Sequence, residues 1–139
     1  MTTANVITVS AVVLRDDAGA VLTVRKRGTD HFMFPGGKPE PGESPAQTAV
    51  RECAEELGAD LDLAELRPVG VFRAAAANED GFVVEASVFE HPPVAAVAPA
   101  AEIDEVRWLD TAAGAGFPHD LAPLSVLVLS GGEPLGPVR

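Results

Sequence analysis

The chain has 139 residues, with 10 Lys or Arg against 21 Asp or Glu and a formal net charge of −11. That length fits one domain with its own core, and an apolar fraction of 47% argues against disorder away from the ends. The charge repels a polyanionic backbone, so no polymeric nucleic acid is expected as a partner, whereas a small anionic ligand remains within reach of local cations or a metal ion.

Residues Val6 to Leu14 are rich in β-branched side chains and partly alternating, which predicts a strand. No basic residues precede them and Thr8 and Ser10 interrupt them, so they suit neither a signal peptide nor a membrane span, and no membrane association is expected. Asp16-Asp17-Ala18-Gly19 supplies turn residues, and Val21 to Val24 reads as the partner strand of a hairpin. That strand runs into Arg25, Lys26 and Arg27, three of the chain's ten basic residues. They form either a solvated strand end or a clamp for phosphate oxygens. His31 to Phe34 is a short apolar segment ended by Pro35-Gly36-Gly37, where glycines let the main chain approach a ligand closely. His31 has no second histidine at ligand spacing and is left out of the candidate site.

Ser44, Pro45 and Gln47 make a capping box with proline at the first helical position, and Gly58 supplies the stop. Between them, Ala46, Ala49, Val50, Cys53 and Leu57 fall on one apolar stripe, with Glu52, Glu55 and Glu56 clustered roughly 120° away. The stripe makes Cys53 a small core residue rather than a nucleophile. As the only cysteine it excludes an internal disulfide and a multi-cysteine zinc site, which is compatible with the reducing cytoplasm expected as the location. Downstream, Leu66 to Ala77 and Phe82 to Glu90 read as strands joined by the turn Asn78-Glu79-Asp80-Gly81. Residues 92–101 read as a Pro/Ala-rich loop, and Glu105 to Leu109 as a short strand carrying Trp108. A loop through Gly114 and Gly116 leads into a second helix over Asp120 to Leu129, followed by a Gly- and Pro-rich tail, 131–139, expected to be loosely ordered.

Three glutamates at i, i+3 and i+4 usually mark a solvated helix face. Here like charges at i, i+4 and their position toward the helix C-terminus are both unfavourable, and no lysine lies between Glu52 and Glu56 to offset them. A bound hard cation, Mg²⁺ or Mn²⁺, would account for that arrangement beside a Gly-Gly turn.

Gly37, Glu43, Arg51, Glu52, Glu55, Glu56 and Gly58 stand at the spacing of the signature of the Nudix (MutT-like) hydrolases, which residues 37–59 resemble without a gap. Cys53 and Ala59 fill the two apolar positions where larger aliphatics are usual. The resemblance implies a mixed β-sheet between helices, an α-β-α sandwich, over a single domain 1–139. It implies hydrolysis of a nucleoside diphosphate linked to another group X, with Mg²⁺ (or Mn²⁺) as cofactor. Glu52, Glu55 and Glu56 would be the metal ligands, joined by the Gly37 carbonyl. Glu43 would support the loop or a second ion, and Arg51 would orient a glutamate. Glu52 and, outside the motif, Glu102 are the candidate general bases. A homodimer is compatible with the sequence without being supported by it.

The identity of X is less legible. Phe34-Pro35-Gly36-Gly37-Lys38 and Glu102, ahead of Trp108, resemble the branch that hydrolyses nucleoside triphosphates, oxidised ones such as 8-oxo-dGTP included, to a monophosphate and pyrophosphate. The position where that branch carries a base-reading asparagine is Leu121 here, with His119 and Asp120 beside it. Substrate contacts are therefore expected from Arg25, Lys26, Arg27, Lys38 and the Leu121 position. The alternatives are the same chemistry on a nucleotide sugar, ADP-ribose or a dinucleoside polyphosphate, and a non-catalytic nucleotide-binding module, which the intact motif disfavours.

Overall fold

The structure, a computed structural model, describes residues 5–95, 97–111 and 116–139. Gly114 of the predicted loop lies outside them. Strands β1 (Asn5–Leu14), β2 (Val21–Lys26), β3 (Phe32–Met33) and β4 (Gly36–Gly37) precede helix α1 (Pro45–Leu57); a 3-10 turn, β5 (Arg67–Ala75), β6 (Phe82–His91), β7 (Ile103–Leu109) and α2 (Pro123–Leu129) follow. Four strands form a mixed sheet in the order β4-β1-β6-β5, and three form a second sheet, β3-β2-β7.

β1 is the centre of the first sheet because its far half is buried on both faces. Val12 and Leu14 pack with Leu22, Val24 and the α1 stripe of Ala49, Cys53 and Leu57. Ala11 and Val13 point the other way, into Val21, Phe34, Phe72 and the partly buried Leu124 and Leu127 of α2. The period of two along β1 thus separates one helix from the other and makes the α-β-α layering.

The predicted hairpin of β1 with β2 does not form. β1 pairs in parallel with β6 along its whole length and antiparallel with β4 at Ser10 and Ala11, so both its edges are taken. β2 meets it only at the Arg15–Val21 bridge and pairs instead with β7 and β3. The second helix is shorter than predicted: Pro123 sets its first turn, while the residues before it run extended beside Phe32, whose amide donates to the Asp120 carbonyl (2.8 Å) and whose carbonyl accepts from Ala122 (2.8 Å). The Gly- and Pro-rich tail, expected to be loose, is tied to β5. Leu135 donates to the Val71 carbonyl (2.7 Å), Val71 donates to the Gly136 carbonyl (2.9 Å), and Val138 packs on the α1 core.

The start of α1 is held twice. Ser44 Oγ accepts from the Gln47 amide (3.1 Å) while the Ser44 amide donates to Gln47 Oε1 (2.9 Å), and Ser10 Oγ of β1 donates to the Pro45 carbonyl (2.8 Å). Gly58 ends the helix at φ 62°. Ser44→Ala should cost about 1 kcal/mol in urea unfolding, and Ser44→Gly only a few tenths of that; equal losses for the two would contradict the capping role.

Candidate active site

α1 lies against β4, and the approach is close enough that a β-carbon on Gly37 would land on the Glu52 carboxylate. One on Gly36 would collide with the Ser10 carbonyl of β1. Gly37 is therefore what allows the Glu52 carboxylate to sit directly on the backbone of β4, and Gly36 what lets β4 lie close against β1. Glu56 Oε1 accepts from the Gly36 amide at 3.1 Å.

Arg51 is the hub of the cluster. Its guanidinium donates to Glu43 through Nε (2.6 Å) and Nη2 (3.0 Å), to Glu52 (3.0 Å) and Glu55 (3.2 Å) through Nη1, and to the Lys38 carbonyl through Nη2 (2.9 Å). Glu43 also accepts from Thr48 Oγ1 and the Glu40 amide, both at 2.9 Å. The Arg51 hydrogen bonds, followed by that amide, hold the Glu43 carboxyl down to about 2. Glu43 is thereby a saturated brace for the loop before α1, and its charged partner raises the pKa of Arg51 further still.

The other two carboxylates are under strain of a different kind. Burial is the leading cause that pushes Glu52 above the ordinary carboxylate range, against the opposing pull of Arg51. Glu56, whose side chain is 8% exposed, is pushed up to about 7 by burial, opposed by Lys26 and the Gly36 amide and reinforced by Glu52. Glu55 is half exposed. The cation missing between Glu52 and Glu56 in the sequence is supplied in space: Arg51 reaches Glu52 and Glu55, and Lys26 of β2 comes within 3.7 Å of Glu56 Oε2. Burial also pushes the Cys53 thiol up, leaving it an inert core group.

The predicted basic triplet divides by the alternation of β2. Lys26 alone faces the carboxylates. Arg25 lies beside Asp104 (3.8 Å) and Glu105 (3.4 Å) and donates to the Thr29 carbonyl (3.1 Å), and Arg27 lies beside Asp104 (3.7 Å), so both pair with other carboxylates than the Glu56 that Lys26 meets. Lys38 contributes its carbonyl to Arg51 while its side chain is exposed. The Leu121 side chain is buried between Phe32 and Leu109 and presents nothing to a ligand. Asp120 is held by Arg107 in a two-pronged pair (2.9 and 3.0 Å), which keeps its carboxyl below the usual range. Glu102 sits on a loop stitched to the end of α1: the Ala98 and Ala100 amides donate to the carbonyls of Leu57 and Glu56, and the Arg27 amide donates to the Glu102 carbonyl (2.7 Å). Its side chain is exposed, next to Ala101 at a left-handed φ of 51°.

Beside the cluster opens a shallow cleft of about 100 Å³, lined by Lys26, Gly36 and Gly37 together with residues of β1, β5, β6 and α2. Sequence reasoning did not find it, because its walls come from Val9, Ala75, Val84 and Leu124, which carry no chemistry of their own and are distant along the chain. Gly36 was visible only as a neighbour of the motif.

Among the described residues no three acidic, histidine or cysteine side chains already converge as a ligand set; Arg51 and Lys26 hold the carboxylates instead. The donor chemistry nonetheless fits a hard divalent cation. Five carboxylates, Glu40, Glu43, Glu52, Glu55 and Glu56, face two basic side chains, and burial raises the pKa of Glu52 and Glu56, the two least exposed, so that a bound cation would relieve both.

A family model described as NUDIX domain matches residues 4–125. An RNA pyrophosphohydrolase of Pseudomonas putida is 38% identical over 55 residues, covering 40% of this chain and 35% of that protein. An 8-oxo-dGTP diphosphatase of Haemophilus influenzae is 42% identical over 57 residues, 38% of this chain and 42% of that one. The chain thus spans less than half the length of these curated relatives. A MutT NUDIX hydrolase structure from Burkholderia pseudomallei superimposes with a TM-score of 0.74 at 19% identity, over 91% of this chain and 97% of the other, which is a likeness of fold.

Proposed function

The chain belongs to the NUDIX domain family, and from that membership we propose that it is a divalent-metal-dependent pyrophosphohydrolase that cleaves a nucleoside triphosphate to a monophosphate and pyrophosphate. The observation that carries this reading is the Arg51-centred carboxylate cluster, with half-buried Glu52 and buried Glu56 against Gly36 and Gly37, which also line the cleft.

Glu52, Glu55, Glu56 and the Gly37 carbonyl would hold Mg²⁺ or Mn²⁺. When bound, the ion polarises the phosphate and lowers the pKa of the attacking water. The nucleoside occupies the cleft and the phosphate chain runs out past Lys26. Lys26 exchanges its ion pair with Glu56 for a phosphate oxygen, so it senses both the ligand set and the substrate. Arg51 and Glu43 keep the backbone at Lys38 and the carboxylate of Glu52 in place. Water attacks one phosphorus, the phosphoanhydride P–O bond breaks toward the leaving phosphate, and the proton from water passes to Glu52 or to Glu102. Rigid placement of Glu52 on a packed helix favours it, whereas Glu102 stands exposed on the loop tied to the end of α1.

The RNA substrate in the name of the Pseudomonas relative is not carried over, because a chain of net charge −11 repels a long polyanion. A nucleotide sugar or ADP-ribose keeps the same cluster and differs only in what fills the cleft. Among the described residues no helix is long and apolar enough to cross a membrane, and we place the protein in the cytoplasm.

The test is a panel of nucleoside triphosphates, nucleotide sugars, ADP-ribose and dinucleoside polyphosphates, incubated with Mg²⁺ or Mn²⁺ and followed by product chromatography. Triphosphates should yield monophosphate and pyrophosphate, and Lys26→Gln should raise KM by about tenfold, the loss of one charge-assisted contact. Absence of turnover of every compound with either metal would make the chain a binding module.

A further inference from the structure

The cleft differs from a base-reading pocket in one respect. Its walls are Val9, Met33, Ala75, Ala77, Val84 and Leu124, and among the described residues the lining includes no Asn, Gln, Asp, Glu, His or Arg. The polar side chains that do line it are already engaged. Ser10 Oγ donates to the Pro45 carbonyl (2.8 Å), Ser125 Oγ accepts from the Phe34 amide (3.3 Å), and Lys26 Nζ lies 3.7 Å from Glu56 at the phosphate end.

Two residues of the segment before α2, Asp120 and Leu121, are engaged elsewhere. Asp120 is committed to Arg107 in the two-pronged pair, and the Arg107 guanidinium lies 3.8 Å over the Phe32 ring. Leu121 packs away in its own cluster with Phe32 and Leu109.

We infer that this cleft reads its occupant by shape and apolar contact, so that the protein hydrolyses nucleoside triphosphates with little selection among bases and gains nothing from oxidation of guanine. The inference rests on the cleft being the nucleoside seat of the proposed hydrolase. A site that pairs donors and acceptors with its ligand rejects the unmatched analogue by about 10⁴–10⁵, whereas an apolar pocket separates ligands differing by a small group by about 10–200-fold. The carbonyl and N–H that oxidation adds at the purine five-membered ring would enter an apolar wall without partners, which is unfavourable.

The experiment compares kcat/KM for dATP, dGTP, dCTP, dTTP and 8-oxo-dGTP with Mg²⁺, alongside calorimetric Kd values for the five corresponding monophosphates. The four ordinary triphosphates should agree within about tenfold, the low end of what an apolar pocket separates, and 8-oxo-dGTP should not exceed dGTP by more than about tenfold. A larger preference for any one base, or for the oxidised one, overturns the inference. If no triphosphate turns over, the monophosphates decide: comparable Kd values uphold shape reading while the hydrolase reading falls, and no binding, or binding of one base alone, overturns both. Ala77→Asn, at the end of the wall beside the 78–81 turn, should create a base preference of at least about tenfold that the native chain lacks. An unchanged profile in a variant with native circular dichroism removes the cleft as the reading surface.

Discussion

Glu56→Gln is expected to cut turnover by at least about a hundredfold, the scale of a lost catalytic group, while making the metal-free protein more stable at pH 8. The two effects share one cause. Burial raises the Glu56 carboxyl to about 7 from an ordinary 4.5, so the folded state holds that proton more tightly than the unfolded chain. Its contribution to stability is fully present below pH 4.5 and is lost as pH rises through about 7, to the extent of about 3 kcal/mol. Glutamine keeps the oxygen that accepts from Gly36 and removes the charge, but leaves Lys26 without its partner. The net gain should therefore be about 1–3 kcal/mol at pH 8 and should vanish near pH 4.5. Thermal melts of both proteins in chelator across pH 4.5–8, paired with Mg²⁺-dependent assays, measure both halves. A variant that is no more stable at pH 8, or that retains full activity, removes Glu56 from the role assigned to it. Addition of Mg²⁺ should raise the melting temperature of the native chain more than that of the variant, since only the native chain has the buried charge to neutralise.

Gly37→Ala tests the other side of the same contact. The added β-carbon would occupy the place of the Glu52 carboxylate, and Glu52 lies on a helix fixed at both ends, so the side chain must swing away or α1 must shift from β4. Misplacement on the scale of an ångström costs about a hundredfold in rate, and overpacking of this kind costs about 1–3 kcal/mol of stability. The expected result is a kcat lower by about a hundredfold or more with a smaller rise in KM, because Gly37 also lines the cleft while Lys26 is untouched. A KM effect alone would mean that Glu52 serves in binding rather than in the chemical step.

How much of this was legible in the sequence follows from the range of each interaction. The capping box, the apolar stripe through Cys53 and the carboxylate spacing are local along the chain, so α1, its caps and its packed face could be read from residues 44–58, while the hold of Arg51 on a glutamate came from resemblance. The α-β-α layering was reached through resemblance. The failures are non-local. Nothing in Val21 to Val24 states that β2 will leave β1 for β7, since that choice is made by β6 and β4 occupying both edges of β1. Alternation could have separated Lys26 from Arg25 and Arg27, but only the packing of β2 against α1 decides which side faces the carboxylates. Leu121 was numbered by analogy with a reading residue, and its burial depends on Phe32 and Leu109. The tail was judged by composition, while its order comes from the edge of β5, to which it lends a carbonyl and an amide.

The parallel pairing of β1 with β6 bears on how the chain reaches this state at all. Asn5 partners Phe82 and Leu14 partners His91, so the central strand of the first sheet cannot complete its ladder until residues 82–91 exist. During synthesis β1 would leave the ribosome well ahead of its partner, with an apolar stretch and two open edges. α1, capped at both ends, can form early, but the surface it packs on comes late. Such long-range closure predicts slow folding relative to a helical protein of this size, and a window in which newly made chains depend on dilution or on chaperones to keep β1 from pairing with a neighbour.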